Sequence, residues 1–206
     1  MKKLAAALIL SVVPLGAFAG GLDLSLSNET ANLTYLFSND PLNRDREPNL
    51  DGGSELAVGL FINEAGDNMV HTTLLARGYR RSSISQYQVS AGMRLVGGDI
   101  SVPNVDANTV SDDESVGALA LGFQAGMMLP SGNYNPVDLT IEGFYAPSIT
   151  SFGDAERYGE VAVRLQIEVM TRARAYIGYR RIRFDTDDFD NVTLDRSAHF
   201  GLSISF

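Results

Sequence analysis

Residues 158–169 read YGEVAVRLQIEV. Val161, Val163, Leu165, Ile167 and Val169 form an unbroken apolar face. Tyr158, Glu160, Ala162, Arg164, Gln166 and Glu168 form the opposite one. A period of two is the signature of a β-strand. The polar face carries three large charges in mid-strand. A soluble sandwich would turn that face to water and bury the other. A membrane barrel turns the apolar face to lipid and the polar face into its lumen.

The same alternation recurs along the chain. It is present in ELAVGLFI (55–62), YQVSAGMRL (87–95), GALALGFQAGMML (117–129) and VDLTIEGFY (137–145). The connections alternate in length. Short turns are expected near 79–85, 130–136 and 170–172, and long loops over 97–114, 147–157 and 185–195. Short turns on one side and long loops on the other are the habit of bacterial transmembrane barrels. Eight strands are centred near 58, 74, 91, 122, 141, 163, 178 and 201. LDLSLS (22–27) and ANLTYLFS (31–38) add a pair. The expected fold is all-β, a transmembrane antiparallel up-and-down β-barrel of ten strands, with eight as the alternative. The polar stretch 39–53 would then lie on the short-turn side.

The N-terminus explains how such a chain reaches a membrane. Lys2 and Lys3 precede an apolar run, Leu4–Val13, and Ala17-Phe18-Ala19 ends it. This is the form of a secretory signal peptide, residues 1–19, cleaved after Ala19. Residues 20–206 are left as one barrel domain. No later run of apolar residues is long enough for a membrane helix. There are no cysteines, so burial and backbone pairing must hold the fold. Lys2 and Lys3 are the only lysines, and the whole chain has net charge −9. That excludes nucleic acid as a partner.

Two more features favour the barrel. Aromatic residues gather near strand ends: Tyr79, Phe144, Tyr145, Phe152, Tyr158, Tyr179, Phe184 and Phe206. They suggest an interfacial girdle. The chain also stops inside a strand, HFGLSISF (199–206). A barrel ties that end down by closing its last strand on its first. The octet fits the C-terminal signal that outer-membrane barrels present to the insertion machinery, with His199, Gly201, Ile204 and Phe206 at its fixed positions. Phe200, Leu202, Ile204 and Phe206 would then face lipid.

FYAPSITSFGDAERYGE (144–160) and RAYIGYRRIRF (174–184) resemble the YfaZ family of predicted outer-membrane proteins of Gram-negative bacteria. The shared motifs are Tyr145-Ala146-Pro147 and Gly178-Tyr179-Arg180. The resemblance is clearest over 115–206. It implies a barrel in the bacterial outer membrane and no particular activity.

With apolar faces outward, the lumen receives Gln88, Arg94, Gln124, Glu142, Glu160, Arg164, Gln166, Glu168, Arg174, Tyr176, His199, Ser203 and Ser205. Arg94, Glu142, Glu160, Arg164, Glu168 and Arg174 form the candidate charge cluster, with Glu168 opposite about Arg174. Such a cluster either sets selectivity in a narrow pore or fills a small barrel and holds it closed. The smaller space inside ten strands favours the filled barrel. Arg181 and Arg183 break the outward apolar pattern. Either a bulge shifts the register there, or they emerge at the outer rim and meet lipopolysaccharide phosphates. DTDDFDN (185–191) reads as a solvated acidic loop, since it lacks the glycine and terminal glutamate of a calcium loop.

No enzyme motif is present. There is no G-x-S-x-G, no metal-spaced histidine pair and no phosphate loop. His71 and His199 are the only histidines. The reading is therefore a barrel that is not an enzyme, structural or with a narrow or plugged pore. It needs no cofactor and no metal. Its partners are outer-membrane lipids, lipopolysaccharide among them, and the insertion machinery, and it is expected to be a monomer. The alternative is a barrel enzyme acting on outer-membrane lipid or peptides.

Overall fold

The structure is a computed structural model. It describes residues 20–38, 53–81, 85–102, 112–129, 135–186, 189 and 191–206. The expected signal peptide and the polar stretch 39–52 lie outside the described residues.

The strands are β1 (Gly20–Leu26), β2 (Thr30–Ser38), β3 (Gly53–Asn63), β4 (Asn68–Arg81), β5 (Gln86–Val102), β6 (Asp112–Leu129), β7 (Val137–Ala146), β8 (Ser151–Gly153), β9 (Ala155–Met170), β10 (Ala173–Thr186) and β11 (Val192–Ser205). They form one 11-stranded antiparallel sheet. β8 is a three-residue strip that pairs with β6 beyond the end of β7, so the wall itself has ten strands. Each wall strand pairs with its neighbour in sequence, and β1 pairs with β11 from Gly21↔Ser205 to Leu26↔Phe200. Gly20 and Phe206 complete the seam, with the Phe206 amide donating to Gly20 O at 2.9 Å and the Gly20 amide to Phe206 O at 3.2 Å. The cylinder is closed and its backbone groups are paired within it, which is what a hydrocarbon environment demands.

One end of the barrel carries Gly20 and Phe206 and is here the terminal end. The other carries the β5–β6, β7–β9 and β10–β11 connections and is the loop end. Over the terminal two-thirds of the wall, apolar side chains point outward. Val161, Leu165, Ile167, Ile177, Leu202, Ile204 and Phe206 are all exposed, and the polar residues between them are inward.

Toward the loop end the alternation keeps its parity but inverts its chemistry. On β10 the outward residues change from Ile177 and Tyr179 to Arg181. The inward ones change from Arg174, Tyr176 and Arg180 to Ile182 and Phe184. On β9, Tyr158 is inward and Glu156 and Arg157 are exposed. Here the outer face is charged and the inside is a packed core, the pattern of a soluble protein. The β9–β10 ladder shifts register only near its two ends, at Ala173/Arg174 and Asp185/Thr186, so Arg181 is exposed without a shift beside it, and Arg183, half-buried, keeps the outward parity. A bulge does occur beside them, but on β11. Ile182 pairs with Asp195 and Arg183 with Thr193, which leaves Leu194 as the extra residue. Leu194 and Asp195 are consequently both buried.

The same inversion shortens the expected loops. β5 runs on to Val102, β6 starts at Asp112, β9 at Ala155, and β10 and β11 extend to Thr186 and from Val192. Ile100, Val116, Ala155, Phe184 and Leu194 are buried, and their burial inside the barrel keeps these segments extended. The girdle needs the same correction. Tyr145, Phe152, Tyr179 and Phe206 face outward. Phe144, Tyr158 and Phe184 are 3%, 1% and 0% exposed and fill the lumen instead.

Glycines make room for that filling. Gly59, Gly122, Gly178 and Gly201 pair directly across strands with His71, Phe144, His199 and Tyr176. A Cβ at any of them would overlap the large side chain lying over it. Each glycine is a slot in the wall for its neighbour's ring.

Candidate functional site in the lumen

The inward residues of the terminal half bring nearly every lumen arginine against an acid. Arg94 (β5) is the most enclosed. It pairs with Glu160 on β9, lies 3.8 Å from Glu142 on β7, and donates from Nε to Thr73 Oγ1 at 2.8 Å. Its guanidinium lies over the Phe144 ring at 3.9 Å. The Tyr158 hydroxyl donates to the same Glu160 carboxylate. Four strands thus converge on one buried ion pair.

Arg164 (β9) has an ion-pair partner on a distant strand. It crosses the lumen to Asp23 on β1 at 2.9 Å and stacks on Tyr176, whose hydroxyl donates to the other Asp23 oxygen at 2.6 Å. Arg180 donates from Nε to Asp195 at 2.7 Å, and Ser197 donates to the second Asp195 oxygen at 2.6 Å. Arg174 is in register with Glu168, as turn geometry suggested, and also pairs with Asp138 at 3.1 Å. Glu55 and Arg77 form a further pair near the terminal end. Glu142 accepts from Gln124 at 3.5 Å.

The structure therefore joins Arg94, Glu142 and Glu160, sets Arg174 beside both Glu168 and Asp138, and sends Arg164 to Asp23. Sequence reasoning missed Asp23, Glu55, Arg77, Asp138, Arg180 and Asp195. Asp23 had a usable signal, since it is the one charge between Leu22 and Leu24 in the first strand. Asp195 had none, because the bulge decides which way it points.

Above this polar layer lies an apolar one. Phe61 (β3), Met69 (β4), Val96 and Ile100 (β5), Val116 (β6), Phe144 (β7), Tyr158 (β9), Ile182 and Phe184 (β10) and Leu194 (β11) form a single buried cluster. Tyr158 and Phe184 stack with centroids 4.9 Å apart. Below it is a cavity of about 210 Å3. It runs from Gly20 and Ser205 at the terminal end up to His71, Phe61 and Ile182. Ring-filling aromatic side chains, rather than charge pairs alone, cap this space.

His71 and His199 both line the cavity, below the apolar layer. His71 packs over Gly59 and His199 over Gly178. The Nδ1 of His199 is buried without a hydrogen-bond partner among the described residues. A serine–histidine–acid relay at the rim is not assembled from the described residues. Nor is any group of three or more metal-ligating side chains. Of the acidic stretch 185–191, Asp187, Asp188 and Asp190 lie outside the described residues. Asp185 accepts from Arg157 at 3.0 Å and from the Asn191 amide at 2.9 Å.

The profile of the YfaZ precursor family matches residues 89–206, more than half of the sequence. The chain belongs to the YfaZ family. No curated protein matches it. Solved structures with a similar course of the chain are outer-membrane barrels. The NanC porin is 11% identical, covers 92% of this chain and 99% of its own, and has a TM-score of 0.38. The transport unit of the autotransporter AIDA-I from Escherichia coli is 10% identical, with 95% and 92% covered and a TM-score of 0.41. LpxR from Salmonella typhimurium is 8% identical, with 91% and 99% covered and a TM-score of 0.39. The likeness is one of fold. This YfaZ barrel's lumen must be read from its own residues.

Proposed function

We propose that this YfaZ barrel is a non-conducting, structural protein of the bacterial outer membrane. On this reading it is exported, loses residues 1–19 after Ala19, and is recognised by the insertion machinery through the octet ending at Phe206. It sits as a monomer with its terminal end toward the periplasm. The observation that carries the reading is the apolar cluster contributed by β3 to β7 and β9 to β11, which seals the loop end over a polar cavity. A constriction built for ions would be wet and lined by unbalanced charge. Here the wide part is polar with its charges paired, and the closed part is lined by apolar side chains. Reconstitution in planar lipid bilayers tests it. Silence from protein that shows a heat-modifiable, folded band is the expected result. Discrete conductance steps would overturn it.

A further inference from the structure

We infer that Arg181 and Arg196 form an outward-facing binding site for the phosphate of a glycolipid headgroup in the leaflet at the loop end. The two residues are direct cross-strand partners on β10 and β11. Both are exposed on the outer face of the wall. Side chains so paired have Cβ atoms about 5 Å apart, and like charges in that position destabilise a sheet. Among the described residues neither guanidinium has an acidic partner to relieve this. The β9 residue in register with Arg181 is Val161, and the outer-face Arg157 is taken by Asp185. Arg183, next along β10, donates to Asn191 Oδ1 at 3.3 Å and adds a third positive charge nearby. An anion between the guanidiniums removes the repulsion, and phosphate matches their forked donors.

The height of the pair selects a lipid as the source of that phosphate. The next outward residues toward the terminal end are Tyr179 on β10 and Ala198 and Phe200 on β11. They begin the apolar band. Arg181 and Arg196 are thus the first charges above the hydrocarbon, at the level of headgroups. A lipid can occupy both at once, with acyl chains along Ile177 and Phe200 and its phosphate on the arginines. This goes beyond the sealed-lumen reading and does not depend on whether the barrel conducts.

Native mass spectrometry of the full folded chain in detergent tests it. The probes are lipid A carrying its phosphates and the same lipid with the phosphates removed. The wild type should retain the phosphorylated form at least about tenfold better. Arg181→Gln with Arg196→Gln should lose that preference. Arg80→Gln, an exposed arginine near the terminal end, should keep it. Excess inorganic phosphate should not displace the bound lipid. Equal retention of both lipids by the wild type overturns the proposal even if the double variant fails to fold. So does an unchanged preference in a folded double variant, or displacement by inorganic phosphate.

Discussion

Asp23 on β1 and Arg164 on β9 meet inside the barrel at 2.9 Å, although 141 positions separate them in the chain. Tyr176 completes the contact by donating to the second carboxylate oxygen. Asp23→Asn keeps the shape and removes the charge that holds Arg164. The expected cost is about 1–3 kcal/mol, because Arg164 is partly open to the cavity. Urea unfolding from lipid vesicles measures it. In the double variant with Arg164→Gln the loss should be less than the sum of the two single losses, which identifies a direct pair.

Arg94 and Glu160 are far more enclosed. Replacing Glu160 by Gln leaves a buried cation with Thr73, a more distant Glu142, the Tyr158 hydroxyl and the Phe144 ring. The expected loss is about 3–5 kcal/mol, larger than for Asp23→Asn. The same unfolding assay ranks the two variants, and the reverse order would show that the lumen at Arg94 is wet.

The lipid-facing assignment is checked on one strand. Leu165→Arg places a charge in the middle of the outward apolar stripe and should cost about 2–4 kcal/mol when the barrel folds into vesicles. Gln166→Arg, one residue on, enters the polar lumen and should cost clearly less. If the two penalties were reversed, the faces of β9 would have to be exchanged.

The glycine slots predict a coupled pair of substitutions. Gly59→Ala drives a methyl group into the His71 ring and against Thr34. Overpacking of this kind costs about 1–3 kcal/mol. His71→Ala vacates the slot, so the second change should recover part of the loss caused by the first. Additive losses in the double variant would show that His71 does not lie over Gly59.

The apolar cap predicts a gain of function. Phe61→Ala, Phe144→Ala and Phe184→Ala together should open the loop end. A folded triple variant should then pass ions in a planar bilayer where the wild type is silent. A triple variant that is folded and silent would place the barrier elsewhere.

Most of the barrel was legible from alternation alone, because lipid outside and polar groups inside force a strict period of two. Val161 to Val169 show this along one strand, and all ten wall strands were located from the same rule. The upper barrel was harder to read. Above the hydrocarbon the solvent outside becomes water, so Ile182 and Phe184 turn inward while Arg181 turns outward at unchanged parity. Seen as a string, RRIRF therefore looks like a fault in the pattern, although its geometry is continuous with the rest of β10. For the same reason Phe144, Tyr158 and Phe184 passed for a girdle. The turn at 171 sets Glu168 in register with Arg174, which local spacing records, but the partners that charges find across the lumen are not legible in the same way. A pair such as Asp23 and Arg164 depends on how the sheet curls shut, which no local spacing records.

The wall is uneven, and this has a mechanical consequence. β1 is 7 residues long, whereas β6 is 18. The ladder joining β5 to β6 runs from Gln86 to Val102, whereas the one joining β1 to β11 ends at Leu26. The cylinder therefore has a strong side and a weak line, and the weak line is where its two ends are joined. Breathing motions should begin there, with amides of β1 exchanging before those of β5 and β6. On insertion, the same short ladder is the natural last latch to close.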